Sequence, residues 1–213
     1  MARAFATNQQ ISGTTTVAKN LTNFSMAGWI RRPSSVSIQF FGFSESGTSH
    51  RTDFIYASDN LVYFVVSNGS LAYGTTSQNL TGWHHLAFTF DGSQSGNSNR
   101  LKGYFDGVAQ TLSFTGTIPA TTSNNALVDT LRIGRYQSGN LWSTGDFAEL
   151  GMWQATLTAA EIASLAKGMT CSKVRPQSLV YYTPLIRDIQ ELARGMTLTN
   201  TDSTVATHPR VYA

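Results

Sequence analysis

The chain has 213 residues, with 15 Lys and Arg against 12 Asp and Glu, which makes one large domain with a formal charge of only +3. Charged residues are 13% of the chain, apolar residues 41% and aromatic residues 11%, which excludes a disordered chain and a heptad coiled coil. The basic residues are scattered, with no run longer than Arg31-Arg32, so nucleic acid is not an expected partner. No window reads as a membrane span, and the first residues hold no apolar stretch of signal-peptide length. A lone cysteine, Cys171, rules out an intrachain disulfide and fits assembly in a reducing cytoplasm.

Ser and Thr number 50, and Gly another 18, a balance that favours strands and turns. In chain order, strands are expected at Ser25 to Ile30, Val36 to Phe43, Asp53 to Ala57 and Leu61 to Ser67. The last two form a hairpin around Ser58-Asp59-Asn60, and Leu71 to Tyr73 follows the Asn68-Gly69 turn. His84 to Asp91 alternates: His84, Leu86, Phe88 and Phe90 on one face, His85, Ala87 and Thr89 on the other. Asp91 to Arg100 reads as a long polar loop. Leu101 to Phe105 and Ala109 to Phe114 flank an Asp106-Gly107 turn, and Leu131 to Gly134 and Phe147 to Trp153 complete the core strands.

One helix is expected over Thr158 to Lys167. Thr158 and Glu161 have capping-box spacing, Leu157 and Ile162 staple spacing, and Gly168 supplies the stop. Beyond it, Leu179 to Thr183 reads as a strand. Ile186 to Arg194 reads as a helical turn with Ile189 and Leu192 inward, and Met196 to Asn200 and Val205 to Ala206 as returning strands. The expected organisation is an N-terminal arm and first strand over 1–20, a domain over 21–200, and an extended C-terminal arm over 201–213. The fold class is an all-β, two-sheet antiparallel jelly-roll sandwich with one short helix.

Several segments resemble the concanavalin A-like jelly rolls of the laminin-G and pentraxin type. They are Asn23 to Pro33, Gly82-Trp83-His84-His85-Leu86-Ala87 with Asp91-Gly92, Leu101 to Gly107, Leu131-Arg132-Ile133-Gly134, and Gly145 to Ile162. The tail carries Ala166-Lys167-Gly168, Arg175-Pro176-Gln177-Ser178-Leu179, Tyr182, Pro184-Leu185 and His208-Pro209-Arg210. It is similar to laminin-G-like proteins encoded in phage and prophage structural modules and in some environmental bacteria.

The resemblance implies three chemistries to test against the residues. Laminarinase-type relatives need two catalytic carboxylates on an E-x-D-x-x-E strand. Asp146 and Glu149 keep the end of that spacing, but Thr144 stands where the nucleophile belongs, so no enzyme is expected. Relatives also bind calcium, which takes six to eight oxygens. Asp91, Asp106 and Asp146 are the available carboxylates, yet the Asp-Gly pairs are explained as turns, so no cofactor is expected, with a structural calcium as the alternative. His84 and His85 point to opposite faces and do not share a metal, His84 being expected as a hydrogen-bonded core residue. Glycan binding needs exposed aromatic rings, and Tyr136 and Trp142, with Tyr73, are the candidates. Trp29, Trp83 and Trp153 are expected in the core.

The leading expectation is a non-enzymatic phage virion protein, assembled in the host cytoplasm, that decorates and cements the capsid. It would bind the major capsid protein as a homo-oligomer, a trimer by capsid geometry. The arms Ala2 to Gln10 and Thr201 to Ala213 would supply contacts, with Arg3, Phe5, Arg210 and Tyr212 as anchors. The alternative is a lectin-like module or a tail or fibre adhesion component that binds surface glycans.

Overall fold

A computed structural model describes residues 2–35, 37–44, 49–79, 81–136 and 141–209. The strands are β1 (Ala2–Phe5), β2 (Gln10–Thr14), β3 (Asn23–Arg32), β4 (Gln39–Phe43), β5 (His50–Tyr56) and β6 (Leu61–Asn68). Then come β7 (Tyr73–Ser77), β8 (Gly82–Asp91), β9 (Leu101–Phe105), β10 (Val108–Gln110), β11 (Ser113–Thr115) and β12 (Thr130–Ile133). The last are β13 (Arg135–Tyr136), β14 (Leu141–Trp142), β15 (Gly145–Trp153), β16 (Leu179–Thr183), β17 (Thr199–Thr201) and β18 (Thr204–Ala206). Two α-helices accompany them, α1 (Asn97–Arg100) and α2 (Ala159–Ala166).

These strands build an antiparallel jelly-roll sandwich. The first sheet runs β10-β9-β8-β3-β15-β1-β18, with β16 also on β15. Strands β1 and β16 share one edge of β15, β1 beside Gly145 to Phe147 and β16 beside Leu150 to Trp153. The second sheet runs β11-β7-β6-β5-β4-β12-β2-β17, and β13 and β14 form a separate two-stranded ribbon. The expected hairpins are present at β5–β6 and at β9–β10. At the second, Asp106 and Gly107 both take positive φ, as the two central residues of a tight hairpin turn require.

Period-two alternation fills the space between the sheets. Phe24, Phe41, Phe54, Phe64, Phe88 and Tyr181 are all buried there, each contributing roughly 1.5–3 kcal/mol by leaving water. A second apolar layer lies on the outer face of the first sheet. Ala27, Ala87 and Trp153 meet Ile162 and Leu165 of α2, together with Cys171, Val174 and Leu179. That face is therefore covered, while much of the outer face of the second sheet is not.

Helix α2 forms as its caps dictate. Thr158 accepts from the Glu161 backbone N–H, and the Glu161 carboxylate accepts from the Thr158 backbone N–H. Glu161 also takes the Arg175 guanidinium at 2.5 Å. Thr158→Ala is expected to lower the unfolding free energy by about 1 kcal/mol, read from the urea midpoint of the two proteins.

Four expectations are revised. Residues 2–5 are not a free arm, because β1 pairs on both edges, with β15 and with β18. The Asp91 to Arg100 loop contains the single turn α1. The helical turn over 186–194 does not form. Leu185 and Arg187 take positive φ, and the buried Glu191 carboxylate draws the backbone N–H groups of Tyr182, Ala193, Arg194 and Met196 onto itself. Ile189 packs on the core as expected, but Leu192 is 56% exposed. Of the three tryptophans, Trp153 is fully buried, while Trp29 and Trp83 are half-buried.

Candidate functional site

Alternation in β5 turns Thr52, Phe54 and Tyr56 inward and Arg51, Asp53 and Ile55 outward. Tyr63 and Val65 of β6 and Tyr73 of β7 lie on the same outer face. Ile38, Ala57 and Leu71 border it, and the β13–β14 ribbon brings Tyr136 and Leu141 over its far side. With Arg51 and Ile55 these residues line a groove of about 260 Å³, while Asp53 is fully buried and does not line it.

Arg51, which lines the groove, is held by an ion pair with the buried Asp53. Arg51 Nε and Nη2 donate to the two carboxylate oxygens of Asp53 at 2.8 and 2.7 Å. Arg51 Nη1 donates to the Tyr136 hydroxyl at 2.6 Å, and the guanidinium lies 4.7 Å from the centre of that ring. Both charged side chains are buried. Burial pushes the Asp53 carboxyl above its ordinary range against the pull of Arg51. Gly42 of the neighbouring strand makes room for this aspartate, since a Cβ there would collide with Asp53 Cβ. Tyr136 also packs edge-on against buried Phe40, at 5.6 Å between ring centres.

The opposite wall is aromatic. The rings of Tyr63 and Tyr73 are 5.4 Å apart at 62°. The Tyr63 hydroxyl donates to Asp59 at 2.7 Å, and burial together with that acidic neighbour raises its pKa to about 12. Tyr136 and Tyr73, both picked out from sequence, thus face one groove. Trp142 lies beside it, its ring 4.7 Å from the Arg135 guanidinium. Arg51 and Asp53 were missed. Their signal was Arg-x-Asp spacing in a strand, which places both on one face. A shallower trough of about 570 Å³ lies further along the same sheet, bordered by Ser12, Thr14, Thr130, Arg194, Thr197 and Thr199.

The remaining nominated residues that the structure describes are engaged inside the domain. Arg3 donates to the carbonyls of Ser203 and Arg187, and Phe5 is a core residue stacked edge-on against Phe147 at 5.3 Å. Both side chains therefore serve the fold, and Arg210 and Tyr212 lie outside the described residues. Asp146 pairs with Arg31, its register partner on the neighbouring strand β3. Glu149 is buried in a β-bulge of β15, accepts from the Tyr182 hydroxyl at 2.8 Å, and lies 3.6 Å from His208 Nε2. Thr144 lies just before β15, its N–H donating to the Ile38 carbonyl and its carbonyl accepting from the Gln39 side-chain amide. Asp91 accepts from Ser93 and Gln94, and Asp106 from the His84 ring and the His85 backbone. Among the described residues, no three His, Cys, Asp or Glu side chains gather as metal ligands. No described helix is long and apolar enough to cross a membrane.

His84 is hydrogen-bonded and half-buried, 4.9 Å from the Phe105 ring, whereas His85 on the opposite face is the fully buried one. The His84 ring, near the start of β8, is hydrogen-bonded to the Asp106 carboxylate and the Thr81 carbonyl.

A model of the concanavalin A-like lectin/glucanases superfamily matches residues 5–163. No curated protein matches the sequence. Among solved structures, the chain is similar to a candidate carbohydrate-binding protein from Bacteroides ovatus. Identity is 16% and the TM-score 0.63, over 96% of this chain and 61% of that one, so the chain spans about three fifths of that protein. It is also similar to the CBM40 domain of the Ruminococcus gnavus IT-sialidase bound to α2,3-sialyllactose. There the identity is 13% and the TM-score 0.56, over 78% of this chain and 97% of that one. The NanB sialidase of Streptococcus pneumoniae gives 14% and 0.56, over 75% and 27%. At these identities the likeness is one of fold. The chain belongs to the concanavalin A-like lectin/glucanases superfamily.

Proposed function

We propose that this member of the superfamily is a non-catalytic module that binds a neutral glycan in the groove over the second sheet. The observation that carries the reading is the groove itself: tyrosine rings on two sides of an ion pair that has no charge to spare. Tyrosine offers a flat apolar face for sugar C–H groups and a hydroxyl for orientation. Each Arg51 nitrogen is already engaged, so an acidic sugar finds no free cation there. The absence of catalysis is supported by Thr144 in the nucleophile position, and by Asp146 and Glu149 being held by Arg31 and Tyr182. A screen of immobilised oligosaccharides tests the reading. Neutral glycans are expected to bind, and Tyr73→Ala to weaken them about tenfold, the effect of losing one aromatic contact worth about 1.4 kcal/mol. Trp142→Ala is expected to act less strongly, since its ring faces Arg135. A screen with no binder, or binding indifferent to Tyr73→Ala, refutes it.

The second reading is the virion decoration protein, and it is compatible with the first. One observation favours it. Outside the family match, the C-terminal segment exposes Ile186, Leu192 and Val205 at 41, 56 and 48%. Exposed aliphatic side chains of this kind suit burial against a capsid subunit. Peptide mass spectrometry of purified particles decides it. Copy numbers near those of the shell protein support decoration, a few copies indicate a tail component, and absence rejects a virion role.

A further inference from the structure

We infer that the groove selects a 6-deoxyhexose, a sugar carrying a methyl group where common hexoses carry the C6 hydroxyl. The inference rests on the groove being the glycan site, and it names the sugar. Size comes first. About 260 Å³ lies below the range of about 300–1,000 Å³ typical of sites for drug-sized ligands, so the groove holds a single ring. Charge comes next. Arg51 and Asp53 neutralise each other, and the Tyr63 hydroxyl is committed to Asp59.

Hydrogen-bonding capacity then decides the identity. Ile55, Val65, Leu71 and Leu141 offer a sugar substituent neither donor nor acceptor. Leu71 and Leu141 are 38% and 48% exposed, so this aliphatic wall reaches the rim. A C6 hydroxyl laid against it would lose water and gain no partner, which is the costly arrangement for a polar group. A methyl group in the same position replaces exposed aliphatic surface with contact. The ring's remaining hydroxyls have Tyr73, which stands opposite Val65 on the adjacent strand and whose own hydroxyl has no hydrogen-bond partner among the described residues.

Two matched pairs of ligands that differ only at C6 test this by calorimetric titration. They are the methyl glycosides of L-fucose against L-galactose and of L-rhamnose against L-mannose. At least one deoxy sugar is expected to bind about tenfold more tightly than its hydroxylated partner, the discrimination of one unpaired buried hydroxyl. Ile55→Thr, which adds a hydroxyl to the wall, is expected to bring that ratio towards one with the fold intact. Equal binding within both pairs, lost in Tyr73→Ala, overturns the deoxy selectivity and leaves the glycan site standing. Binding of neither pair, or of sialylated glycans alone, overturns both. A ratio unchanged by Ile55→Thr also overturns it, because the discrimination then arises elsewhere.

Discussion

Asp53→Ala is expected to destabilise the protein by about 3–5 kcal/mol, the range found when one partner is removed from a buried ion pair. The loss is not mainly that of an attraction. Asp53 takes two of the three Arg51 nitrogens, and without it a buried guanidinium keeps only the Tyr136 hydroxyl. Removing both charges together is a different experiment. Arg51→Met with Asp53→Leu leaves no orphan, and such exchanges are often neutral or stabilising. The double variant is therefore expected to recover most of the stability but not glycan binding, because Tyr136 loses the group that orients it. Urea unfolding of the two variants beside the parent and a titration of the double variant measure both. A double variant as unstable as Asp53→Ala would show that the groove depends on the pair's geometry and not on charge balance.

Acidification is expected to remove roughly 3 kcal/mol of stability between pH 6.5 and pH 4, and His85 is the cause. Its side chain is 2% exposed and sits against the Trp29 ring at 5.5 Å. Burial lowers its pKa from 6.5 to about 4, with Asp106 pulling weakly the other way. The unfolded chain takes up this proton near pH 6.5 and the folded chain does not. The stabilisation is thus complete above pH 6.5, falls as pH drops to 4, and declines no further below that.

Neighbouring His84 has the opposite sign. Burial lowers its pKa, but the Asp106 hydrogen bond and charge outweigh that and raise it. Its contribution is present below pH 6.5 and is lost as pH rises through the raised value. Burial raises the Asp106 pKa and His84 lowers it, the net being downward, so its contribution is lost only in stronger acid. His85→Phe keeps the packing and removes the titrating group. Urea midpoints at pH 4, 5, 6 and 7 are expected to converge in His85→Phe relative to the parent. An unchanged acid slope would mean that other groups carry the proton uptake.

Much of the architecture was legible because local signals and packing agree. The alternation of β8, the Asp-Gly hairpin and the Thr158–Glu161 box are each contained within about ten residues, and all are realised. What was not legible depends on distant partners. Arg51-x-Asp53 shows that two charges share a face, but not that they are buried. Their cover is Tyr136, which lies 85 positions from Arg51. Phe5 read as an exposed anchor because its neighbours are small and polar. The space for its ring exists because Gly134 has no side chain. Leu192 read as inward from helical spacing, and Glu191 overrode that spacing by gathering four backbone N–H groups. Of the two aromatic candidates, Tyr136 lines the groove and Trp142 stands beside it.

The pairing of β1 has a consequence for biosynthesis. Its partners are residues 145–147 on one side and 204–206 on the other, and Ala2 stands opposite Ala206. Translation proceeds at about 5–20 residues per second, so the first strand emerges roughly ten to forty seconds before its last partner exists. During that interval its N–H and C=O groups are open to any passing strand, an aggregation hazard. Productive folding of the first sheet must then wait until residues 204–206 have been made, and it is slow, as for other chains dominated by long-range pairing. Chaperone supply and growth temperature should accordingly govern the soluble yield more than the stability of the finished sandwich does.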